Sequence, residues 1–524
     1  MDILKNQNSD SRRLILIMTG VMLGLFMAAL DQTIVSTAMP RIVAELGGLE
    51  HFTWITSSYL VASTTAVPVV GGLTDIYGRK KFYIVGLSTF LSGSILAGQS
   101  QTMEQLIAIR ALQGVGGGVL MTLAFITVGD LFSASDRGKY QGIVAGVFGL
   151  SSVVGPTLGG FITESLSWHW IFYINIPLSI PVIIILTKYL PDVRVKTHNP
   201  QLDWIGIVTL TLSIIPLMIA LSWGGSSYGW GSPLIMGMLV ISVIMAVVFV
   251  FTELRVKNPI MPMEIYGNSI VSISLIASFF IGFGMFGGIT FIPLFFQGVL
   301  GVSPSASGSF LTPMMLSMVI GAAIGGQALS RIGGHYRIQG LIAIGFMTIG
   351  VFLVSRMTSD TSQHSVIFNI ILFGFGLGNT FPVFTIAVQN ATPRSFLGVS
   401  TSAIQFYRSI GGAIGLALLG SHLTNRFYSK LGSDLSTNLS NSITTEQIKI
   451  LSNNPEALMN HDPVKWIIGS FQISRGTASE IIASMKTALA SGITDVFLII
   501  TFVSIAAFIV TIFLKETRTS KNRV

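Results

Sequence analysis

Two charged side chains stand inside long apolar stretches of this 524-residue chain. Asp31 lies in "MAALDQTIVSTAMP", Met27 to Pro40, and Arg110 in "IAIRALQGVGGGVL", residues 107 to 120. A bare carboxylate or guanidinium is expensive among alkyl groups, so each needs a partner or a task. Each sits about five residues inside the end of its stretch, roughly 7.5 Å deep at the helical rise per residue. At matching depth the two can neutralise each other, and the carboxylate can also take up and release a proton. The same pair reads equally as a permanent structural tie between two helices. Arg408, in "AIQFYRSIGGAIG", is a further charge of this kind. Gln405, one turn earlier, or backbone carbonyls can anchor it as a structural cation; a site role in the C-terminal half is the alternative.

A second grouping, "GGLTDIYGRKK", Gly71 to Lys81, joins two apolar segments. Gly72 and Gly78 permit close packing and a tight turn. Asp75 can pair with Arg79 or with a neighbouring helix terminus, and such a charge cluster can latch one face of a bundle. Asp130 lies at the same kind of segment edge. In "GLSSVVGPTLGG", Gly149 to Gly160, Pro156 removes one helical hydrogen bond, and Gly155, Gly159 and Gly160 let a partner helix approach.

The elements that must hold these residues are membrane spans. Hydrophobic residues make up 51% of the chain and charged ones only 10%, with a mean hydropathy of +0.73. Soluble domains carry about a quarter charged residues. Fourteen stretches have the ~20 apolar residues that a span requires. They run over about 14–36, 52–72, 82–99, 105–129, 139–161, 169–188, 203–222, 231–252, 270–297, 306–330, 338–355, 364–388, 397–421 and 490–514. The opening "MDILKNQNSDSRR" is too polar for a signal peptide, so the first stretch is expected to remain as a span. An even number puts both termini on one side. Assigning that side to the cytoplasm places 20 Lys/Arg in the inner segments and 2, Arg41 and Arg356, in short outer loops. This is a strong positive-inside bias. The net charge of +8 is therefore an orientation signal, and no nucleic-acid partner is expected. One connection, about 422–489, is long and largely polar, though its end, "ASEIIASMKTALASGI", residues 478–493, suits an amphipathic helix; it reads as a surface loop or as a cap over an outer vestibule. Trp168 and Trp170 suit an outer interface belt. Gly71 and Gly78 share their spacing with Gly326 and Gly333, a faint internal repeat.

Several function classes drop out. With no cysteine there is no disulfide framework or thiolate chemistry. No phosphate-binding Gly-x-x-x-x-Gly-Lys-Ser/Thr loop occurs, which argues against direct ATP drive. His51, His335, His364 and His461 fall in loops or at segment edges, so no catalytic or metal cluster forms inside the spans.

The motifs then converge on one family. "GGLTDIYGRKK" resembles the signature loop of the major facilitator superfamily, and Arg110, Gln113 and Gly114 resemble its Arg-x-x-Gln-Gly motif, in which the arginine is implicated in proton coupling. Gly149, Gly155, Pro156, Gly159 and Gly160 resemble the antiporter motif of facilitator exporters. With "LDQTIV", "WHWIFYINIPLS" and "FIPLFFQGVLGVSPSASG", the chain resembles the fourteen-helix drug:proton antiporters of the EmrB/QacA type over nearly its whole length.

The resemblance implies an all-α integral membrane protein. A six-helix bundle would occupy residues 1–190 and two additional helices 191–268. A second six-helix bundle would occupy 269–524, with an extracellular loop at about 422–489. It implies a bacterial cytoplasmic membrane, cytoplasmic termini, a monomer and no cofactor beyond the proton gradient. Spans one and four become neighbours, so Asp31 and Arg110 can meet. The expected function is proton-coupled export of amphiphilic drugs or dyes; the alternative is a dedicated exporter of one metabolite, lipid precursor or siderophore. Asp31, Arg110 and Gln113 would serve coupling and substrate; Gly72, Asp75, Gly78, Arg79 and Asp130 would form the cytoplasmic gate. Span ten lacks the acid that relatives handling divalent cations carry. Monovalent cationic, zwitterionic or neutral amphiphiles are therefore expected.

Overall fold

A computed structural model describes residues 7–47, 52–133, 136–191, 203–225, 228–256, 258–302, 304–332, 335–358, 361–438, 463–471 and 473–516, with single positions at 447, 450, 451 and 458. The chain is all-helical. The N-terminal part comprises α1 (Gln7–Leu46), α2 (Phe52–Tyr77), α3 (Arg79–Ala97), α4 (Met103–Leu131), α5 (Arg137–Ser165), α6 (Trp170–Tyr173) and α7 (Asn175–Tyr189). Next come α8 (Trp204–Trp223) and α9 (Pro233–Glu253). The C-terminal part holds α10 (Ser269–Leu294), α11 (Pro304–Ile332), α12 (Tyr336–Val354), α13 (Gln363–Ala391), α14 (Leu397–Asn438), α15 (Pro463–Phe471) and α16 (Arg475–Ile512).

Where fourteen spans were expected, 12 helical segments among the described residues combine the required length and hydropathy. The short α6 and α7 run on as one of them. α3 and α14 fall short, for a compositional reason. α3 opens on Arg79, Lys80 and Lys81, and α14 carries Gln405, Arg408 and several glycines. Several of the helices hold an internal proline, Pro156 in α5 and Pro382 in α13 among them. Such breaks are tolerated where neighbouring helices re-satisfy the freed carbonyls.

Contacts sort the helices into two groups. α1 packs on α4, α5 and α7, and α4 also packs on α2 and α3. In the other group α13 packs on α11 and α12, α10 on α14, and α16 on α10, α12 and α14. The groups meet along two seams, α5 against α11 and α2 against α14. α8 lies against both α2 and α14, and its apolar residues Leu210, Ile214 and Met218 join a buried cluster with Val61, Val67 and Ala403. Trp223 of α8 meets Trp54 of α2 edge-on at 5.0 Å, and the Trp230 indole donates to the Ser421 hydroxyl of α14 at 3.2 Å.

Two expectations change. The 422–489 stretch is helical over 422–438, 463–471 and 475–489; its middle, 439–446 included, lies outside the described residues, as does Gly333. Leu423, Phe427, Leu431 and Leu435 recur every four residues and are buried with Ile481, Met485 and Leu489 of α16. An apolar stripe at helical spacing needs a facing stripe, and along this stretch the two helices supply it to each other. Trp168 does not stand in a lipid belt: it is buried and donates to Glu45 at 2.8 Å, while Trp170 is 51% exposed.

Candidate functional site

Asp31 is 1% exposed and Arg110 equally so. Arg110 Nη1 donates to Asp31 Oδ2, and Gln113 Nε2 donates to Asp31 Oδ1 at 2.8 Å. Both carboxylate oxygens therefore accept, the pattern of an ionised group. The guanidinium has further partners. Nη1 also reaches Gln113 Oε1 at 2.7 Å, and Nε donates to the Ile55 carbonyl at 3.3 Å. Its carbon lies 4.4 Å from the Tyr59 ring centroid, a desolvated cation–π contact. Gln113 and Asn175 both donate to Ser94 Oγ, at 2.8 and 3.1 Å, so five helices share one polar knot. Close approach makes this geometry reachable. A side chain at Gly114 would meet the Tyr59 backbone, and one at Gly93 would lie 2.7 Å from Gln113 Cβ.

Beside this knot, between the two groups of helices, lies a cavity of about 80 Å³. Gln32, Met121, Phe125, Met285, Phe381 and Arg408 are among its walls. Drug-sized ligands occupy ~300–1,000 Å³, so the passage is contracted here. Gln405 and Arg408 come together, with Arg408 Nη1 donating to Gln405 Oε1 at 3.0 Å. A second, mostly apolar groove of about 620 Å³ runs along the flank between α1 and α5, past Met18, Met22, Phe26 and Val147.

At the end carrying the α2–α3 turn, Gly78 adopts φ 95°, a conformation that favours glycine. The turn aims Arg79 between two carboxylates: it pairs with Asp75 and donates through Nε to Asp130 at 2.9 Å. Asp75 also reaches across the seam, accepting from the backbone N–H groups of Gly398 and Val399 at 3.1 and 3.0 Å. Gly72 packs against Ile260, where a Cβ would fall 2.8 Å from that side chain.

Sequence reasoning missed the other half of this closure. Arg137 donates to the Gly129 carbonyl and to Asn390 Oδ1, both at 2.7 Å, and to the Gln389 carbonyl at 3.3 Å. Gln141 and Gln389 both donate to the Phe125 carbonyl, at 3.0 and 3.1 Å. Of the α5 glycines, Gly149 faces Val319 of α11, while Gly155 and Gly159 face Thr33 and Ile34 of α1. Gly160 faces open space, and Pro156 stays within the helix. That motif therefore divides between two partners.

The Major Facilitator Superfamily profile matches residues 21–416, well over half of the chain. The chain belongs to the major facilitator superfamily. It is thus a multi-pass membrane transporter and not an enzyme. "Multidrug transporter protein MdtP" of Bacillus subtilis (strain 168) is 38% identical over 533 residues, covering 99% of this chain and 96% of that protein. "Multidrug resistance protein 3" of the same organism is 38% identical over 455 residues, covering 85% and 88%. Among solved structures, the human organic anion transporter MFSD10 aligns with a TM-score of 0.59 over 94% of this chain and 99% of that one. At 14% identity that likeness concerns the fold alone.

Proposed function

We propose that this transporter exports amphiphilic drugs, dyes or similar toxic compounds in exchange for protons, across a bacterial cytoplasmic membrane. The observation that carries the reading is the sealed Asp31–Arg110–Gln113 network beside the central cavity. Protonating Asp31 would cancel its attraction for Arg110 and turn one acceptor oxygen into a donor, so the knot must rearrange. Uptake of a proton from outside, with release of substrate, would favour the inward-facing state. Proton loss inside, with binding of substrate, would favour the return. The names of the two Bacillus relatives support multidrug substrates. No cofactor is called for: the proton gradient supplies the drive.

In this reading the chain is of the fourteen-helix EmrB/QacA type, with α3 and α14 as the two remaining spans. Each lies among helices that do span: α3 against α4 and α7, α14 against α10 and α16. Residues 1–190 and 269–524 form the two bundles, 191–268 the added pair, and a monomer with cytoplasmic termini is the working unit. Gly72, Asp75, Gly78, Arg79 and Asp130 act as the cytoplasmic gate, and the closure around Asp75 and Arg137 corresponds to its shut position. Gly149, Gly155, Pro156 and Gly159 shape α5 for the exporter's packing, a role in which Gly160, facing open space, has no part.

The test is proton-driven drug uptake into inverted vesicles by the wild type, Asp31→Asn and Asp31→Glu. Loss in Asp31→Asn with partial retention in Asp31→Glu is expected; full activity in Asp31→Asn would remove the coupling role. A susceptibility panel on an efflux-deficient host should shift for many compounds. A shift for one compound alone would point to a dedicated exporter.

A further inference from the structure

Arg408 is the counterpoint to Arg110. It is 2% exposed on α14, eleven residues in from Leu397, or about 16 Å at the helical rise, which puts it near the middle of a bilayer core. Glycines fix it there. α10 and α14 touch closely enough that a Cβ at Gly415 would fall 2.9 Å from Phe283, and one at Gly282 would meet Arg408's own backbone. Two sides of the guanidinium are committed: Nη1 donates to Gln405, and its carbon lies 4.1 Å from the Phe381 ring centroid. The remaining edge is not. Nε and Nη2 are buried and have no hydrogen-bond partner among the described residues. No carboxylate lines the cavity that Arg408 borders, and Asp31, next in sequence to cavity-lining Gln32, is held by Arg110 and Gln113.

A buried, unpaired guanidinium is costly, and Nε–H with Nη2–H is the side-on fork whose spacing matches the two oxygens of a carboxylate. We infer that Arg408 is an anion-recognition residue of the transport pathway, taking the carboxylate of an amphiphile whose apolar body lies against Phe381, Met285 and Phe286. Gln405 and Phe381 hold the fork in place, so little side-chain entropy remains to be lost on binding. The substrate class narrows the one expected from the sequence: among monovalent cationic, zwitterionic and neutral amphiphiles, it favours those that carry a carboxylate. The inference rests on the exporter reading, yet equilibrium binding without a gradient tests it separately from proton coupling.

The probes are rhodamine B, with a free carboxylate, and rhodamine 6G, in which it is esterified. They are titrated by fluorescence polarisation against purified transporter in phosphatidylcholine nanodiscs at one pH on both sides. A rhodamine body exceeds the contracted cavity, so binding draws on more open states of the transport cycle. The wild type should prefer rhodamine B about tenfold, the equivalent of ~1.4 kcal/mol. Arg408→Gln should abolish that preference while leaving rhodamine 6G within about twofold, and Arg408→Lys should keep part of it. Gln405→Glu supplies a second route, placing a carboxylate beside Arg408; it should abolish the preference with the arginine in place. Equal binding of the two probes by the wild type would overturn the inference, as would an intact preference in both Arg408→Gln and Gln405→Glu. Loss of the preference when phosphatidylglycerol replaces phosphatidylcholine would give the fork to a lipid headgroup and overturn it as well.

Discussion

The Asp75 carboxylate accepts the backbone N–H of Val399 at 3.0 Å, across 324 residues of chain. With Gly398 N–H bound at 3.1 Å, an acid at the end of one helix caps the first turn of another in the opposite group. Those N–H groups are orphans of the α14 start and carry the positive end of its dipole. Arg79 holds the same carboxylate from the other side, so the turn at Gly78 and the start of α14 are tied through one side chain.

Asp75→Asn keeps the size but removes the charge, at a cost of ~1–2 kcal/mol for the cap and ion pair together. That corresponds to about a 5–30-fold rise in opening at this end. The chain has no native cysteine, so Ser402→Cys, whose hydroxyl sits beneath Gly71, gives a background-free probe. Labelling by an impermeant maleimide in inverted vesicles should accelerate in the Asp75→Asn background. An unchanged rate would mean that this contact does not hold the gate.

Asp31 and Arg110 should behave as one unit in stability measurements. Removing one partner of a buried pair leaves an uncompensated charge and costs ~3–5 kcal/mol. Asp31→Asn and Arg110→Gln should each lower the unfolding temperature in detergent, and the double variant should lose clearly less than the sum. Strict additivity would contradict the shared network.

The α5 glycines should separate by the surface they face. Gly155→Ala would bring a methyl group 2.8 Å from Thr33 Cβ, whereas Gly160→Ala meets nothing within 4 Å. Overpacking at the first site should cost ~1–3 kcal/mol, while the second should stay within ~0.5 kcal/mol. Thermal unfolding of the two purified variants reads the difference, and equal losses would refute the packing described.

Arg137→Lys tests the closure that the sequence did not reveal. One ammonium cannot match a planar guanidinium that bonds the Gly129 and Gln389 carbonyls and Asn390 together. The same maleimide assay should register faster labelling, with the fold retained. Identical kinetics in Arg137→Lys would leave that arginine without a gating role.

Some of this was readable beforehand because charges are rare in an apolar chain. Asp31 and Arg110 were conspicuous by type and depth, and the turn glycines and acid of "GGLTDIYGRKK" had a spacing that decoration does not require. Arg137 was hidden because a basic residue in a short inner loop counts toward orientation, whatever it touches. Ser94, Asn175 and Gln389 gave no periodic signal, and their partners lie up to 264 residues away. The helical run at Leu423, Phe427, Leu431 and Leu435 was legible in principle. The polar, turn-rich sequence after it dominated the composition of the whole 422–489 stretch. Arg408 was visible, but its unbonded edge was not, since orphaned donors are a property of packing.

The position of α8 has a consequence for what reaches the pathway from the side. Because it covers α2 and α14 together, and the Trp54–Trp223 and Trp230–Ser421 contacts fasten its far end, that seam is curtained from the bilayer. The α5–α11 seam has no such curtain among the described residues, and the apolar α1–α5 groove runs beside it. Among the described residues, a molecule dissolved in the lipid therefore meets a one-sided vessel, with an unshuttered flank next to the helix that carries Asp31.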